Sequence, residues 1–160
     1  MFIVPPIRND RMGLGNFGAR RGGRTHKGLD FSAEPGTVIY AVDDGEITKI
    51  GYCYGDDLKY RYVQITTHDG LDLRYFYTTL QPLLSIGDQV LKGQALCVVQ
   101  DISSKHSTDK KTMINHYHFE IKEAGQHINP VPYLKKIGVK LWVSWIKLPI
   151  LLAVLFSVKS

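Results

Sequence analysis

Two short segments, far apart along the chain, carry histidine and aspartate in patterns that suit a metal ion. In the first, R-T-H-K-G-L-D-F, His26 and Asp30 are four positions apart. In the second, N-H-Y-H-F-E-I, His116 and His118 are two positions apart in a run rich in β-forming residues. Alternate residues of a strand share a face, so both imidazoles can point into one pocket. The fold must therefore bring two distant segments together around one cation, and imidazole with carboxylate is the ligand set of hydrolytic zinc sites.

The rest of the sequence favours an all-β fold made of antiparallel strands, either one sheet folded on itself or a sandwich. Its 160 residues fit a single domain with a real core. The turn sequences Asp43-Asp44-Gly45 and His68-Asp69-Gly70 predict hairpins between neighbouring strands. Strands are predicted from alternating runs at 37–42, 45–52, 60–67, 71–77, 95–100 and 117–122.

Three parts of the chain differ in character. Residues 1–25 are predicted to form an N-terminal arm and loop, because Pro5, Pro6 and several glycines oppose regular structure. Residues 26–134 are predicted to form the folded domain, and residues 135–160 to carry a hydrophobic C-terminal helix. The run at 141–158 approaches one bilayer thickness, but Lys147 and Pro149 interrupt it. We expect a membrane anchor there, with an interfacial helix or a helix packed on a partner as the alternatives.

Four segments, in the same order, resemble the lysostaphin-like (M23) zinc metallopeptidases that cut peptidoglycan peptides. The resemblance covers about Pro5 to Leu134. It implies the antiparallel β-fold of those peptidases, a bound Zn²⁺ and peptidoglycan peptides as the substrate. The matching segments are F-G-A-R-R-G-G-R-T-H-K-G-L-D-F-S-A, P-G-T-V-I-Y-A-V-D-D-G-E-I, I-G-D-Q-V-L-K-G-Q-A-L and N-H-Y-H-F-E-I.

Carried over position by position, the resemblance implies that His26, Asp30 and His118 are zinc ligands. It also implies that His116 is a general base or a transition-state stabiliser. One departure stands out. The family has a second catalytic histidine in a tyrosine-x-histidine-leucine segment, whereas the matching stretch here is R-Y-F-Y-T-T-L-Q-P. This alignment puts Tyr77, or Thr78 with a one-residue gap, at that position. A phenol can donate a hydrogen bond to an oxyanion but is a poor base near neutrality, because its ordinary pKa is about 10.

The other histidines are not among the residues that the resemblance implies as zinc ligands or as the general base. His68 lies at a predicted turn and is interpreted as structural or exposed, and His127 is left out of the site. His106 lies in the polar, lysine-rich segment 102–112, which we predict to be a mobile loop. It is interpreted as solvated, with replacement of the absent catalytic histidine as the alternative. Glu120 shares the face of His118, either to orient that ligand or to face solvent.

Charge and cysteine content narrow the partners and the compartment. The net charge of +5 fits ordinary solubility or attraction to anionic wall polymers or lipid headgroups. No interleaved basic and aromatic surface typical of nucleic-acid binding is present, so nucleic acid is not expected as a partner. Cys53 and Cys97 are expected to be free thiols, with one disulfide as the alternative.

The sequence therefore predicts a zinc endopeptidase acting on peptidoglycan cross-links. A catalytically degenerate, zinc-stabilised module that binds cell wall or a virion partner is the alternative. The N-terminus shows no secretory signal peptide. We expect membrane association through the apolar C-terminal segment. Because murein lies on the other side of that membrane, we hypothesise a bacteriophage particle that carries the protein to the wall at entry.

Overall fold

The computed structural model describes residues 2–142, and it confirms the predicted all-β, antiparallel fold. Short strands make up most of the regular secondary structure in this part of the chain, and both helices in it are short. In chain order the elements are β1 (Phe2–Pro6), β2 (Asn9–Asp10), β3 (Gly13–Leu14), β4 (Arg20–Arg21), β5 (Arg24–Thr25), β6 (Leu29–Ser32), β7 (Val38–Tyr40), β8 (Gly45–Tyr52), β9 (Arg61–Thr66), β10 (Asp72–Phe76), β11 (Thr78–Leu80), β12 (Gln89–Val90), β13 (Ala95–Val99), α1 (Ser103–His106), β14 (His116–Glu123), β15 (Gln126–Ile128), α2 (Pro130–Lys136) and β16 (Val139–Trp142).

The main sheet has seven strands and is antiparallel throughout. Its order is β12-β8-β9-β10-β14-β15, with β6 also paired to β14. Strands β6 and β15 share one edge of β14, β6 along 116–119 and β15 along 121–123. The opposite edge of β14 pairs with β10. The strand that carries both candidate histidines is therefore held by hydrogen bonds on both sides, which fixes its position.

A second sheet of three strands, in the order β11-β13-β7, shares one hydrophobic core with the main sheet. Leu96 and Val99 from the small sheet and Ile65 and Phe119 from the main sheet all belong to that core. The Tyr75 hydroxyl accepts a hydrogen bond of 3.1 Å from the backbone N–H of a residue that follows β7. Full burial of one large apolar side chain contributes about 1.5–3 kcal/mol, so this shared core stabilises the stacking of the sheets.

Two turn predictions had different outcomes. His68-Asp69-Gly70 connects the paired strands β9 and β10, as predicted, and Gly70 takes the left-handed conformation with φ of 80°. The hairpin predicted at Asp43-Asp44-Gly45 is wrong, because β7 and β8 belong to different sheets. Turn residues show where the chain changes direction, but they do not show which strand becomes the neighbour.

The two ends of the described chain pair with each other. Strand β1 runs parallel to β16, so residues predicted as an arm carry a strand, and four more short strands follow before residue 26. Leu141 and Trp142 lie in β16, while the remainder of the predicted hydrophobic helix lies outside the described residues. Neither helix within residues 2–142 is long and apolar enough to cross a bilayer.

Candidate metal centre

Three side chains from two adjacent strands and the loop before them converge on one point. His118 of β14 lies directly opposite Asp30 of β6 in the strand register, and His26 lies in the loop just before β6. His118 Nδ1 is 2.8 Å from Asp30 Oδ1, and His26 Nε2 is 3.0 Å from the same oxygen. The two histidine nitrogens are 2.9 Å apart. All three residues predicted from the sequence as metal ligands are thus brought together.

Hydrogen bonds behind the histidines leave their inner nitrogens free to bind a cation. His26 Nδ1 lies 2.8 Å from the carbonyl oxygen of Asn16, which can only accept, so this nitrogen carries the proton. His118 Nε2 lies 3.0 Å from a carboxylate oxygen of Glu120 and donates to it in the same way. With its outer nitrogen held in this way, each ring turns its other nitrogen inward, as the hydrogen-bonded ligand histidines of metal sites do.

Asp30 is held so that one oxygen faces the histidines and the other faces cationic groups. Its Oδ2 atom accepts from Arg8 Nη2 at 3.0 Å and from Arg21 Nη2 at 3.1 Å, while Oδ1 faces the histidine pair. Burial alone would raise the pKa of Asp30, but hydrogen bonds from His118 and His26 hold it well below its usual range. The carboxylate is therefore ionised and has a single oxygen available for a metal.

These donors fit a zinc ion. Ligands about 2.0–2.1 Å from a shared tetrahedral ion lie about 3.3 Å from one another, slightly farther apart than the 2.8–3.0 Å spacings of the three donor atoms. Small side-chain movements would therefore open the cluster to receive the ion. Without a metal, burial lowers the pKa of His118, but hydrogen bonds with Asp30 and Glu120 raise it to about 9. A proton thus competes with the metal for this nitrogen.

His116 shares the face of β14 with His118 but makes no close contact with the cluster. Its Nδ1 lies 2.8 Å from the Ile114 carbonyl oxygen and therefore carries the proton. Its Nε2 lies 3.9 Å from Asp30 Oδ1 with its lone pair free. Burial lowers the pKa of His116 to about 4, so the ring is neutral near pH 7. A neutral imidazole with a free nitrogen beside the metal cluster is suited to accept a proton.

Glu120 lies behind the cluster, in the orienting position that was one of its two predicted alternatives. One oxygen holds His118, and the other lies 3.1 Å from His127 Nε2 and 3.3 Å from Arg74 Nη1. Burial alone would raise the pKa of Glu120, but the His118 hydrogen bond and nearby cationic groups lower it. His127, which was left out of the predicted site, therefore helps to fix the carboxylate that fixes a ligand.

Gly28 is required by the close approach of the loop to β14. A Cβ atom at this position would lie 2.8 Å from His118 Cε1 and still closer to the Phe119 carbonyl oxygen. Any side chain would push the loop that carries His26 away from His118. This steric requirement explains the glycine in the sequence H-K-G-L-D.

The cluster forms one wall of a cavity of about 520 Å³. Tyr77 lines another part of the cavity, and its ring lies edge-on to that of His116, with 5.5 Å between the ring centroids. Tyr54 and His106 line the same cavity. Thr78, the other candidate for the family histidine position, is buried and donates to the Tyr75 carbonyl oxygen, so it does not face the cavity. A cavity of this size can hold a short peptide segment.

The chain that carries this site also resembles known proteins in sequence and in structure. The profile of peptidase family M23 matches residues 24–130, about two thirds of the chain. The chain belongs to peptidase family M23. Its fold is that of the lysostaphin-like members. The prophage-encoded M23 protein EnpA of Enterococcus faecalis, in a mutant form of its catalytic domain, is 26% identical with a TM-score of 0.57, covering 81% of this chain and 97% of that one. The lysostaphin catalytic domain of Staphylococcus simulans is 25% identical with a TM-score of 0.57, covering 79% and 92%.

Two longer proteins also resemble this M23 chain. The uncharacterized protein Rv3786c of Mycobacterium tuberculosis is 30% identical over 86% of this chain and 31% of its own length. The murein hydrolase activator EnvC of Escherichia coli is 29% identical over 68% of this chain and 23% of its own length. The chain thus spans less than a third of the length of these relatives.

Several residues of this M23 site had no clear sequence pattern to reveal them. Arg8 precedes Asp30 by 22 positions and is one of several basic residues that surround the first segment, yet it is only 2% exposed. Tyr54 is one of nine tyrosines in the chain. Both reach the site through contacts between distant parts of the chain. Cys53 lines the cavity as a free thiol, and Cys97 is free and buried, as expected from the sequence.

Proposed function

We propose that this M23 domain is a zinc endopeptidase that hydrolyses peptide cross-links of peptidoglycan. The observation that carries the proposal is the inward convergence of His26, Asp30 and His118, with the free nitrogen of His116 beside them. Of the similar proteins, the structure of lysostaphin from Staphylococcus simulans is described as that of an antimicrobial peptidase. The three converging side chains would hold Zn²⁺, and His116 would act on the reacting groups.

The roles of the remaining residues follow from their protonation states. A bound Zn²⁺ supplies Lewis-acid polarisation of a carbonyl group and a lowered pKa for water. His116 Nε2 is neutral and unprotonated, so it accepts a proton from the attacking water and returns it to the leaving amine. Tyr77 keeps its hydroxyl proton, because burial raises its pKa, and donates a hydrogen bond to the developing oxyanion.

The decisive experiment measures zinc content and murein clearing on the same preparations. Wild-type protein should bind zinc and clear murein. His116→Ala should keep its zinc and lose clearing by about a hundredfold or more, because only the proton acceptor is removed. His118→Ala should lose both zinc and clearing. His68→Ala, at an exposed turn away from the cavity, is the matched control and should behave as wild type.

A second candidate function is a zinc-stabilised module that binds the cell wall or another protein without cutting. The similarity to EnvC, which is named as an activator, favours this alternative, and so does a phenol at the position predicted for a family histidine. Folded, zinc-loaded wild type that fails to clear murein but sediments with it would exclude the endopeptidase and support the binding module.

We further propose that the apolar segment 141–158 associates with a membrane, and that the protein acts as part of an infecting phage particle. The proposal depends on composition, since most of the segment lies outside the described residues. Cosedimentation with anionic lipid vesicles tests the membrane association. Full-length protein should sediment, and a variant that ends at residue 142 should remain in the supernatant. Equal recovery of both in the supernatant would contradict membrane association.

A further inference from the structure

Three side chains of the cavity lining, separate from the three candidate metal ligands, form a chain of hydrogen bonds. His106 Nε2 lies 2.7 Å from the Tyr54 hydroxyl oxygen. The Tyr54 hydroxyl in turn donates to the Tyr77 hydroxyl at a distance of 3.3 Å. We call His106, Tyr54 and Tyr77 the hydroxyl chain. Its last member is the one whose ring lies against His116.

The direction of these hydrogen bonds follows from counting protons. A phenol has one hydroxyl proton. Since Tyr54 donates its only hydroxyl proton to Tyr77, it must accept in the contact with His106, and His106 Nε2 must carry a proton. The Tyr77 oxygen then accepts from Tyr54, and its own proton remains free to donate to an acceptor in the cavity. In the opposite direction, Tyr77 would donate to Tyr54 and could offer a substrate only lone pairs.

All three groups carry the protons that this arrangement needs near pH 7. Burial lowers the pKa of His106, with a smaller contribution from Lys105, so the ring is neutral and carries one N–H proton. Burial raises the pKa of Tyr54 and of Tyr77, so both phenols remain protonated. The position of the single His106 proton therefore selects the direction of the whole chain.

The surrounding packing holds Tyr54 and His106 together. Lys105, next to His106 in α1, lies 4.6 Å from the centre of the Tyr54 ring and forms a 2.9 Å ion pair with Asp57. The Tyr60 ring packs edge-on against Tyr54, and its hydroxyl donates to the Asp101 carbonyl oxygen just before α1. The 53–60 loop and α1 are thus joined by contacts around the Tyr54 ring.

The backbone at Tyr77 aims its side chain into the cavity. Tyr77 has a φ of 61°, a left-handed conformation that is uncommon for an aromatic residue. It lies between β10 of the main sheet and β11 of the small sheet. Its carbonyl oxygen accepts a 2.8 Å hydrogen bond from the Gln100 N–H. The transition between sheets therefore sets the direction of the phenol.

We propose that His106 and Tyr54 are positioning residues that keep the Tyr77 hydroxyl proton directed toward the carbonyl oxygen of a peptide in the cavity. The inference rests on the proposed endopeptidase function for its effect on rate. The arrangement of protons within the hydroxyl chain can be tested without it. In this proposal Tyr77 donates to the substrate, and Tyr54 and His106 act through Tyr77.

The kinetic test is a double-mutant cycle. Tyr77→Phe removes the donor and should lower kcat about a hundredfold, with little change in KM. Tyr54→Phe keeps the Tyr77 hydroxyl but removes the hydrogen bond that orients it. This variant should lower kcat about tenfold. In the Tyr77→Phe background, Tyr54→Phe should have no further effect, because there is no proton left to orient. Tyr52→Phe, a half-exposed tyrosine outside the cavity lining, is the matched control and should leave kcat unchanged.

Two substitutions at His106 separate orientation from packing. His106→Gln keeps an N–H donor near the Nε2 position and should stay within about twofold of wild-type kcat, whereas His106→Ala should match the tenfold loss of Tyr54→Phe. Equal losses in both His106 variants, or an additive effect of Tyr54→Phe in the Tyr77→Phe background, would overturn the proposal.

A spectroscopic readout makes the test independent of hydrolysis. In ¹⁵N-labelled wild-type protein, the His106 ring nitrogens should give the chemical shifts of the tautomer protonated at Nε2. This preference should weaken in Tyr54→Phe, which has no hydroxyl to accept from His106. It should also weaken in Tyr77→Phe, because the Tyr54 proton loses its acceptor and can be donated to His106 Nε2 instead. A ring protonated at Nδ1 would overturn the inference whether or not the protein cuts murein. Absence of hydrolysis with the expected tautomer would instead contradict the endopeptidase function alone.

Discussion

The two walls of the cavity hold their protons in different ways. One part of the lining, which we call the metal wall, holds the candidate ligands His26, Asp30 and His118. Its two histidines each have one nitrogen fixed by an acceptor that cannot donate, a backbone carbonyl or a carboxylate. In the hydroxyl chain, Tyr54 and Tyr77 can each donate or accept, so one proton on His106 determines the direction of both bonds. The hydrogen-bonding protons of the metal wall therefore have one arrangement, and those of the hydroxyl chain have two.

The difference follows from where each wall lies in the fold. Asp30 and His118 occupy opposed positions of paired strands, so the sheet register determines their contact. Tyr54 and His106 come from the 53–60 loop and from α1, which side chains join. Changes in the metal wall should therefore affect metal binding and stability, while changes in the hydroxyl chain should affect rate alone.

The largest effect is expected at the carboxylate that faces the histidines. Asp30→Asn keeps the shape but removes the charge that holds the cation and balances Arg8 and Arg21. Zinc should be lost from the purified protein, as measured by elemental analysis, and murein clearing should fall more than about a thousandfold. Asp57→Asn, which alters the carboxylate paired with Lys105 outside the cavity lining, should retain full zinc content. Zinc loss in both variants would mean that the walls are not independent.

The next effect is expected at the buried guanidinium behind that carboxylate. Arg8→Met leaves Asp10 and Asp30 without their shared cation, and breaking such a buried pair destabilises by about 3–5 kcal/mol. Urea unfolding monitored by tryptophan fluorescence measures the loss. Arg24→Met, an exposed arginine on the cavity rim, should change the free energy of unfolding by less than about 0.5 kcal/mol.

A smaller effect is expected at Glu120, which orients a candidate ligand without being one. Glu120→Gln keeps an acceptor for His118 but loses the negative charge that favours the His118 ring in its ligating form. Zinc affinity, measured by competition with a chelator, should weaken about 10–100-fold. Glu123→Gln, an exposed glutamate on the same strand, should leave the affinity unchanged. If the Glu120 variant bound zinc as tightly as wild type, Glu120 would have no orienting role.

The smallest effect is expected from the cation that packs on Tyr54. Lys105→Met keeps an unbranched side chain over the ring but loses the partly exposed ion pair with Asp57. Such pairs contribute little, so kcat should change by about twofold or less and zinc content should not change. A tenfold loss of kcat would show that Lys105 itself determines the direction of the hydroxyl chain.

Sequence patterns predicted the metal wall because its residues lie within local, regular segments. Alternation placed His116 and His118 on one face of a strand, and the structure agrees. The parts that sequence reasoning missed depend on partners distant in the chain. Strand β1 contains two prolines and gains its pairing only from β16, and Arg8 reaches Asp30 only because the segment after β1 packs beside β6. Local preferences contain no information about such partners.

The left-handed backbone at position 77 limits which side chains can occupy the junction between the two sheets. Branched residues such as valine and isoleucine are strongly disfavoured there, whereas asparagine, aspartate and histidine tolerate this region better than other non-glycine residues. An imidazole could therefore take the place of the phenol without rebuilding the main chain. For protein engineers, this makes position 77 a single point at which the acid–base character of the pocket can be exchanged while the scaffold stays the same.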